Sequence, residues 1–141
     1  MTGKLIGRGR DCDVFEAGTG RVLRRTRRGR TTEVEALTMQ HCGAHGYPVP
    51  EVFDADGPDI VMQRLDGPTM LADMSARPWT RRSKARQLAE LVELLGRIPL
   101  PDHDLPTAVV GGDRLVHLDL HPDNVVLTDA GRLLAGRAEQ L

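Results

Sequence analysis

Aromatic side chains are nearly missing from this chain: 141 residues hold one Trp, one Tyr and two Phe. A core of any size must therefore be filled by Leu, Val, Ile, Met and Ala. Cysteine is almost as scarce. Cys12 and Cys42 stand alone with no CxxC spacing, which argues against a disulfide framework or a cysteine zinc site, and free thiols fit a reducing cytoplasm. No apolar run approaches the roughly 20 residues of a membrane span. The opening MTGKLIGRGR has no apolar segment of the signal-peptide kind. The expectation is a cytoplasmic protein that does not engage a membrane.

What is present is the composition of a globular domain, 40% hydrophobic and 28% charged. The length suits one domain and allows a real core. The formal net charge of −1 conceals a polarity along the chain. Residues 1–30 carry nine Lys/Arg against three Asp/Glu, whereas the remainder carries ten against seventeen. A basic N-terminal part can meet an anionic ligand such as a nucleotide, or it can be a solvated surface. Six arginines fall between positions 21 and 30. No aromatic residue interleaves them and they alternate along an expected strand, so nucleic-acid binding is not expected.

Turn chemistry divides the first half. Lys4–Ile6 reads as a strand, Gly7 to Asp13 as a glycine-bearing connection, and Val14–Ala17 as a second strand. Gly18-Thr19-Gly20 is a hairpin signal, leading to a third strand at Arg21–Arg25. Thr32-x-x-Glu35 has capping-box spacing at the start of a helix, with Gly43 or Gly46 as its stop. Val49–Asp54 and Asp59–Leu65 read as strands flanking the turn Asp56-Gly57-Pro58, and Asp66-Gly67-Pro68 as a break or hinge. Residues 1–66 are thus predicted as β-β-β-α-β-β. Beyond them, Leu88, Leu91, Val92, Leu95 and Ile98 recur at helical spacing over about 79–98. Val125–Leu127 and Leu133-Leu134 read as a hairpin around Thr128–Gly131.

The most specific signal is Val116–Leu127, VHLDLHPDNVVL. Asp119 and Asn124 are spaced D-x-x-x-x-N, with His117 two residues before the Asp. Phosphoryl transfer needs a carboxylate to orient a hydroxyl and an amide or carboxylate to hold magnesium, and this offset can bring both to one centre. The alternation of His117, Asp119, His121 and Asp123 also permits a divalent-metal strand, and a polar turn capped by Asp and Asn is the plain alternative.

This segment resembles the His-Gly-Asp-Leu-His-x-x-Asn loop of the aminoglycoside phosphotransferase family, a branch of the protein-kinase-like fold. The resemblance implies an α+β, protein-kinase-like architecture. Residues 1–66 would be a nucleotide-binding N-lobe, an antiparallel five-stranded sheet with one helix. Residues 67–141 would be a partial, mainly helical C-lobe carrying the catalytic-loop hairpin. It further implies ATP and Mg2+ as cofactors and a small hydroxylated molecule as acceptor of the γ-phosphate. Asp119 would be the catalytic base and Asn124 a magnesium ligand. Gly7 and Gly9 would lie in the phosphate-covering loop, where glycine lets backbone N–H groups approach closely. Cys12 stands where a third glycine is usual. Arg24 would take the place of the phosphate-contacting Lys, with Glu35 as its helix partner. Arg and Lys are not equivalent, because Arg binds phosphate through a planar fork. Backbone atoms near Gln63 and Leu65 would run beside adenine.

Two departures narrow this expectation. The family places a second magnesium-binding Asp in an Ile-Asp-Trp or Ile-Asp-Phe unit after the hairpin, and the chain reads Leu134-Ala135-Gly136-Arg137 there. Gly136 occupies the Asp position. The chain stops at Leu141, before the helices that complete the larger lobe, so a truncated or frameshifted member is expected. The apolar face of Leu88, Leu91 and Leu95 would then be uncovered and open to self-association. The alternative function is a catalytically silent nucleotide-binding module.

Overall fold

The computed structural model describes residues 3–9, 12–27, 31–102, 122–128 and 133–135. Its architecture is α+β. Strands β1 (Leu5–Arg8), β2 (Cys12–Glu16) and β3 (Arg21–Thr26) precede helix α1 (Glu33–Ala44), followed by β4 (Val52–Asp56) and β5 (Asp59–Gln63). All five strands pair antiparallel in the order β1-β2-β3-β5-β4. Then come α2 (Met70–Ala76), a 3-10 turn at Pro78–Thr80, α3 (Arg81–Arg97), a second 3-10 turn at Pro122–Asn124, and the hairpin β6 (Val125–Leu127) with β7 (Leu133–Ala135).

The β2–β3 connection follows from its glycines: Gly18 and Gly20 have φ of 97° and 69°, the left-handed region open to glycine. Pairing extends further into the first hairpin than the sequence suggested. Gly7 is a strand residue opposite Val14, and Arg8 is opposite Asp13, while Gly9 N–H donates to Cys12 O at 2.8 Å. The connecting loop is thus shorter than the seven residues Gly7 to Asp13 assigned to it, because both of its ends are taken up by the ladder.

Two apolar clusters organise the described residues. The first lies between one face of the sheet and α1: Val14, Val22, Ile60 and Met62 pack with Ala36. The period-two pattern of β3 buries Val22 and Arg24 on that face. The second gathers Cys42, Tyr47, Met70, Leu91, Leu95, Ile98 and Val125, with Leu88 packed against it. It joins the end of α1 to α2, α3 and β6. The face of α3 expected to be uncovered is thus covered in this cluster at Leu91 and Leu95, which are buried, with Leu88 partly buried against them. The large apolar side chains of α3 left exposed are Val92 and Leu94. No described helix is long and apolar enough to cross a membrane.

The segment after β5 is fastened to the β6–β7 hairpin. Gly67 has φ of 134°, and a Cβ built on it would stand 1.9 Å from Leu127 O. Leu127 N–H donates to Pro68 O at 2.9 Å, and Thr69 bridges to Val126. Thr69 then caps α2, its Oγ1 accepting from Ala72 N–H at 3.0 Å. The expected break at 66–68 is a stitched junction, since glycine alone allows this backbone approach.

Candidate functional site

Arg24 lies in the middle of β3, paired across the ladder with Val14 on one side and Ile60 on the other. It is 1% exposed, on the face that carries Val22. Its Nη2 stands 2.5 Å from Glu35 Oε2 on α1. This contact is an ion pair without hydrogen-bond alignment, and Nε, Nη1 and Nη2 make no hydrogen bond with a described residue. A buried cation with unfilled N–H groups is expensive unless something acidic completes its coordination. Glu35 is 38% exposed, so the pair reaches solvent on the helix side.

The capping-box alternative for Glu35 does not form. Thr32 Oγ1 donates to Gly57 O at 3.1 Å and to Asp59 O at 3.0 Å, and Thr32 N–H donates to Gly57 O. These bonds tie the start of α1 to the β4–β5 turn. They orient the helix so that Glu35, one turn on, faces β3.

The remaining described arginines of the cluster are engaged close to home. Arg25 grips Asp59 through Nε and Nη2 at 2.7 and 2.8 Å, a fork-to-carboxylate match that raises the Arg25 pKa. Arg27 pairs with Asp13 at 2.5 Å, and its hydrogen bond holds the Asp13 carboxyl below the usual carboxylate range. Arg21 lies over the Phe53 ring at 3.9 Å. Arg24 differs from all three in being buried and incompletely coordinated.

In the segment expected beside adenine, Gln63 N–H donates to Glu51 O at 2.7 Å and Gln63 Oε1 accepts from Glu51 N–H at 3.2 Å. Arg64 N–H donates to Gly20 O at 2.9 Å. Both amides are therefore spent within the sheet. The N–H of the buried Leu65 has no backbone partner among the described residues.

Asn124 is 4% exposed, at the end of the 3-10 turn that leads directly into β6. At the same end of the hairpin, Val125 pairs with Ala135. Asp119, His117, His121 and Gly136 lie outside the described residues. Of the residues expected to hold magnesium, Asn124 lies among those described, and the residue after Ala135 is a glycine with no side chain.

The structure brings Arg24 and Glu35 into contact and keeps Gly7 and Gly9 on the neighbouring hairpin. The roles of three residues were not read from sequence. Thr32 positions α1 through its hydroxyl, and Gly67 with Thr69 holds the hairpin bearing Asn124. Thr69 ahead of a short apolar stretch was an available N-cap signal; the seven-residue α2 is too brief for periodicity to reveal. No protein-family model matches the chain, and neither does any curated protein sequence.

Proposed function

We propose that this chain is a nucleotide-binding protein of the aminoglycoside-phosphotransferase type, with a kinase-like fold. Its five-stranded sheet and first helix would be the N-lobe of that fold. The observation that carries the reading is the buried Arg24 on the third strand, paired with Glu35 of the helix and short of acceptors. The order β-β-β-α-β-β and the later HLDLHPDN segment are compatible with it. In this reading Arg24 receives nucleotide phosphate, the Gly7–Gly9 hairpin covers it, and Leu65 N–H faces the base. Asp119 orients the hydroxyl of a small acceptor.

Transfer of the γ-phosphate is expected to be slow. Removing one electrostatic group at a developing charge typically lowers rate by about 10²–10³, and Gly136 supplies no carboxylate. The catalytically silent alternative is favoured by that same glycine. The test is phosphate transfer from ATP and Mg2+ to a panel of aminoglycosides and sugars. Slow transfer abolished by Asp119→Ala supports the phosphotransferase reading. Transfer that survives Asp119→Ala removes Asp119 from its role, and nucleotide binding with no transfer leaves the silent module.

A further inference from the structure

We propose that His41 and His45, one turn apart at the C-terminal end of α1, form a two-imidazole site for a divalent transition-metal ion of the zinc and copper class. The proposal does not rest on the nucleotide-binding reading.

Side chains four apart on a helix are neighbours on one face. The two imidazole rings have their centres 4.4 Å apart and their planes inclined at 49°. A metal ion sits about 2.0–2.1 Å from an imidazole nitrogen, so two rings meeting one ion at a right angle have centres roughly 4.5 Å apart. The pair stands at the separation that a shared ion requires. His45 is exposed and His41 half-buried, so an ion reaches them from solvent.

The ring protons point the same way. A carbonyl oxygen only accepts, so a ring nitrogen bonded to one carries the proton. His41 Nε2 donates to Pro99 O at 2.6 Å, and His45 Nδ1 donates to the carbonyl of His41 at 2.9 Å. Lone pairs are left on His41 Nδ1 and His45 Nε2, which have no partner among the described residues. Metal-ligating histidines characteristically give their other N–H to a carbonyl or carboxylate, which fixes the tautomer and the ring. Both rings have that support. Pro99 lies just past α3 and 58 positions from His41, so the support of His41 is tertiary rather than local to the helix.

Cys42, between the two, is not a third ligand. It is buried in the second core cluster, and burial raises its thiol pKa. Among the described residues no three metal-ligating side chains gather, so water completes the coordination. Imidazole donors suit zinc, copper and nickel, whereas magnesium and calcium take oxygen.

The test is calorimetric titration of the untagged full chain with zinc chloride in a non-chelating buffer. Saturable binding is expected, at least about tenfold weaker in His45→Ala and unchanged in Cys42→Ser. No zinc binding, affinity untouched by His45→Ala, or affinity lost in Cys42→Ser overturns the proposal. His45→Ala also removes a hydrogen bond at the helix end, so a second measurement leaves the chain unaltered. Zinc should shift the ring NMR resonances of His41 and His45 together. Zinc that shifts those of His117 and His121 but leaves His41 and His45 in place overturns the proposal.

Discussion

Arg24 and Glu35 meet at 2.5 Å between the third strand and the first helix, yet they sit in unequal surroundings: the arginine is 1% exposed and the glutamate 38%. The two halves of the pair should therefore respond differently to removal. Glu35→Gln leaves a buried cation without its counter-charge, and should lower unfolding free energy by roughly 1–3 kcal/mol. Arg24→Met removes the buried charge and fills its space, leaving a glutamate that water can solvate. It should stay within about 1 kcal/mol of wild type. Urea denaturation of both variants checks the asymmetry. Equal losses would place the two residues in like environments.

Gly67 should tolerate no side chain. Its φ of 134° and the approach of Leu127 O leave a Cβ no room. Gly67→Ala should cost at least about 2 kcal/mol through backbone strain and overpacking. Hydrogen exchange should show the loss concentrated at Leu127 N–H, whose acceptor is Pro68 O.

Much of this architecture was legible because turns punctuate it. Gly18 to Gly20 and Asp56 to Pro58 marked the β2–β3 and β4–β5 connections, and the strands between them followed from alternation. The role of Glu35 was not decidable from spacing, since Thr32-x-x-Glu35 suits a capping box as well as a cross-element ion pair. The choice was made by the Gly57 and Asp59 carbonyls, which claim the Thr32 hydroxyl from 25 and 27 positions away. The burial of Leu91 and Leu95 was equally hidden, because Cys42, Tyr47 and Val125 come from distant parts of the chain. Local pattern gives a helix its apolar face but does not name what covers it.

Alkaline pH should destabilise the second core cluster. Tyr47 is buried, its hydroxyl has no partner among the described residues, and burial pushes its pKa up to about 12. Burial also raises the thiol of Cys42. A phenol raised above its unfolded value of about 10 contributes stability that is complete below pH 10 and lost as pH rises through 12. The loss amounts to about 2–3 kcal/mol. Tyr47→Phe should match or exceed wild-type stability at pH 7 and remove most of the decline between pH 10 and 12. Thermal melts across that range read the difference.

Acid should act through Asp73. Its carboxyl accepts from Arg77 at 2.7 Å and lies 3.4 Å from the largely buried Lys84. The Arg77 hydrogen bond foremost, with the charges of Arg77 and Lys84, holds its pKa below the usual carboxylate value. A depressed carboxylate contributes stability that is complete above its unfolded pKa of about 4 and fades as pH falls below that. Asp73→Asn should lower the melting temperature at pH 7 by stranding Lys84 and flatten the acid limb below pH 4. A parallel acid limb in the variant would assign that loss to other carboxylates.

The central claim is that Arg24 receives nucleotide phosphate, and it is tested most directly by titrating a fluorescent ADP analogue into wild type and into Arg24→Met of verified fold. The account predicts saturable binding to wild type and at least a tenfold loss in the variant, about 1.4 kcal/mol. Equal affinity in the two proteins, or no binding to wild type, would contradict it.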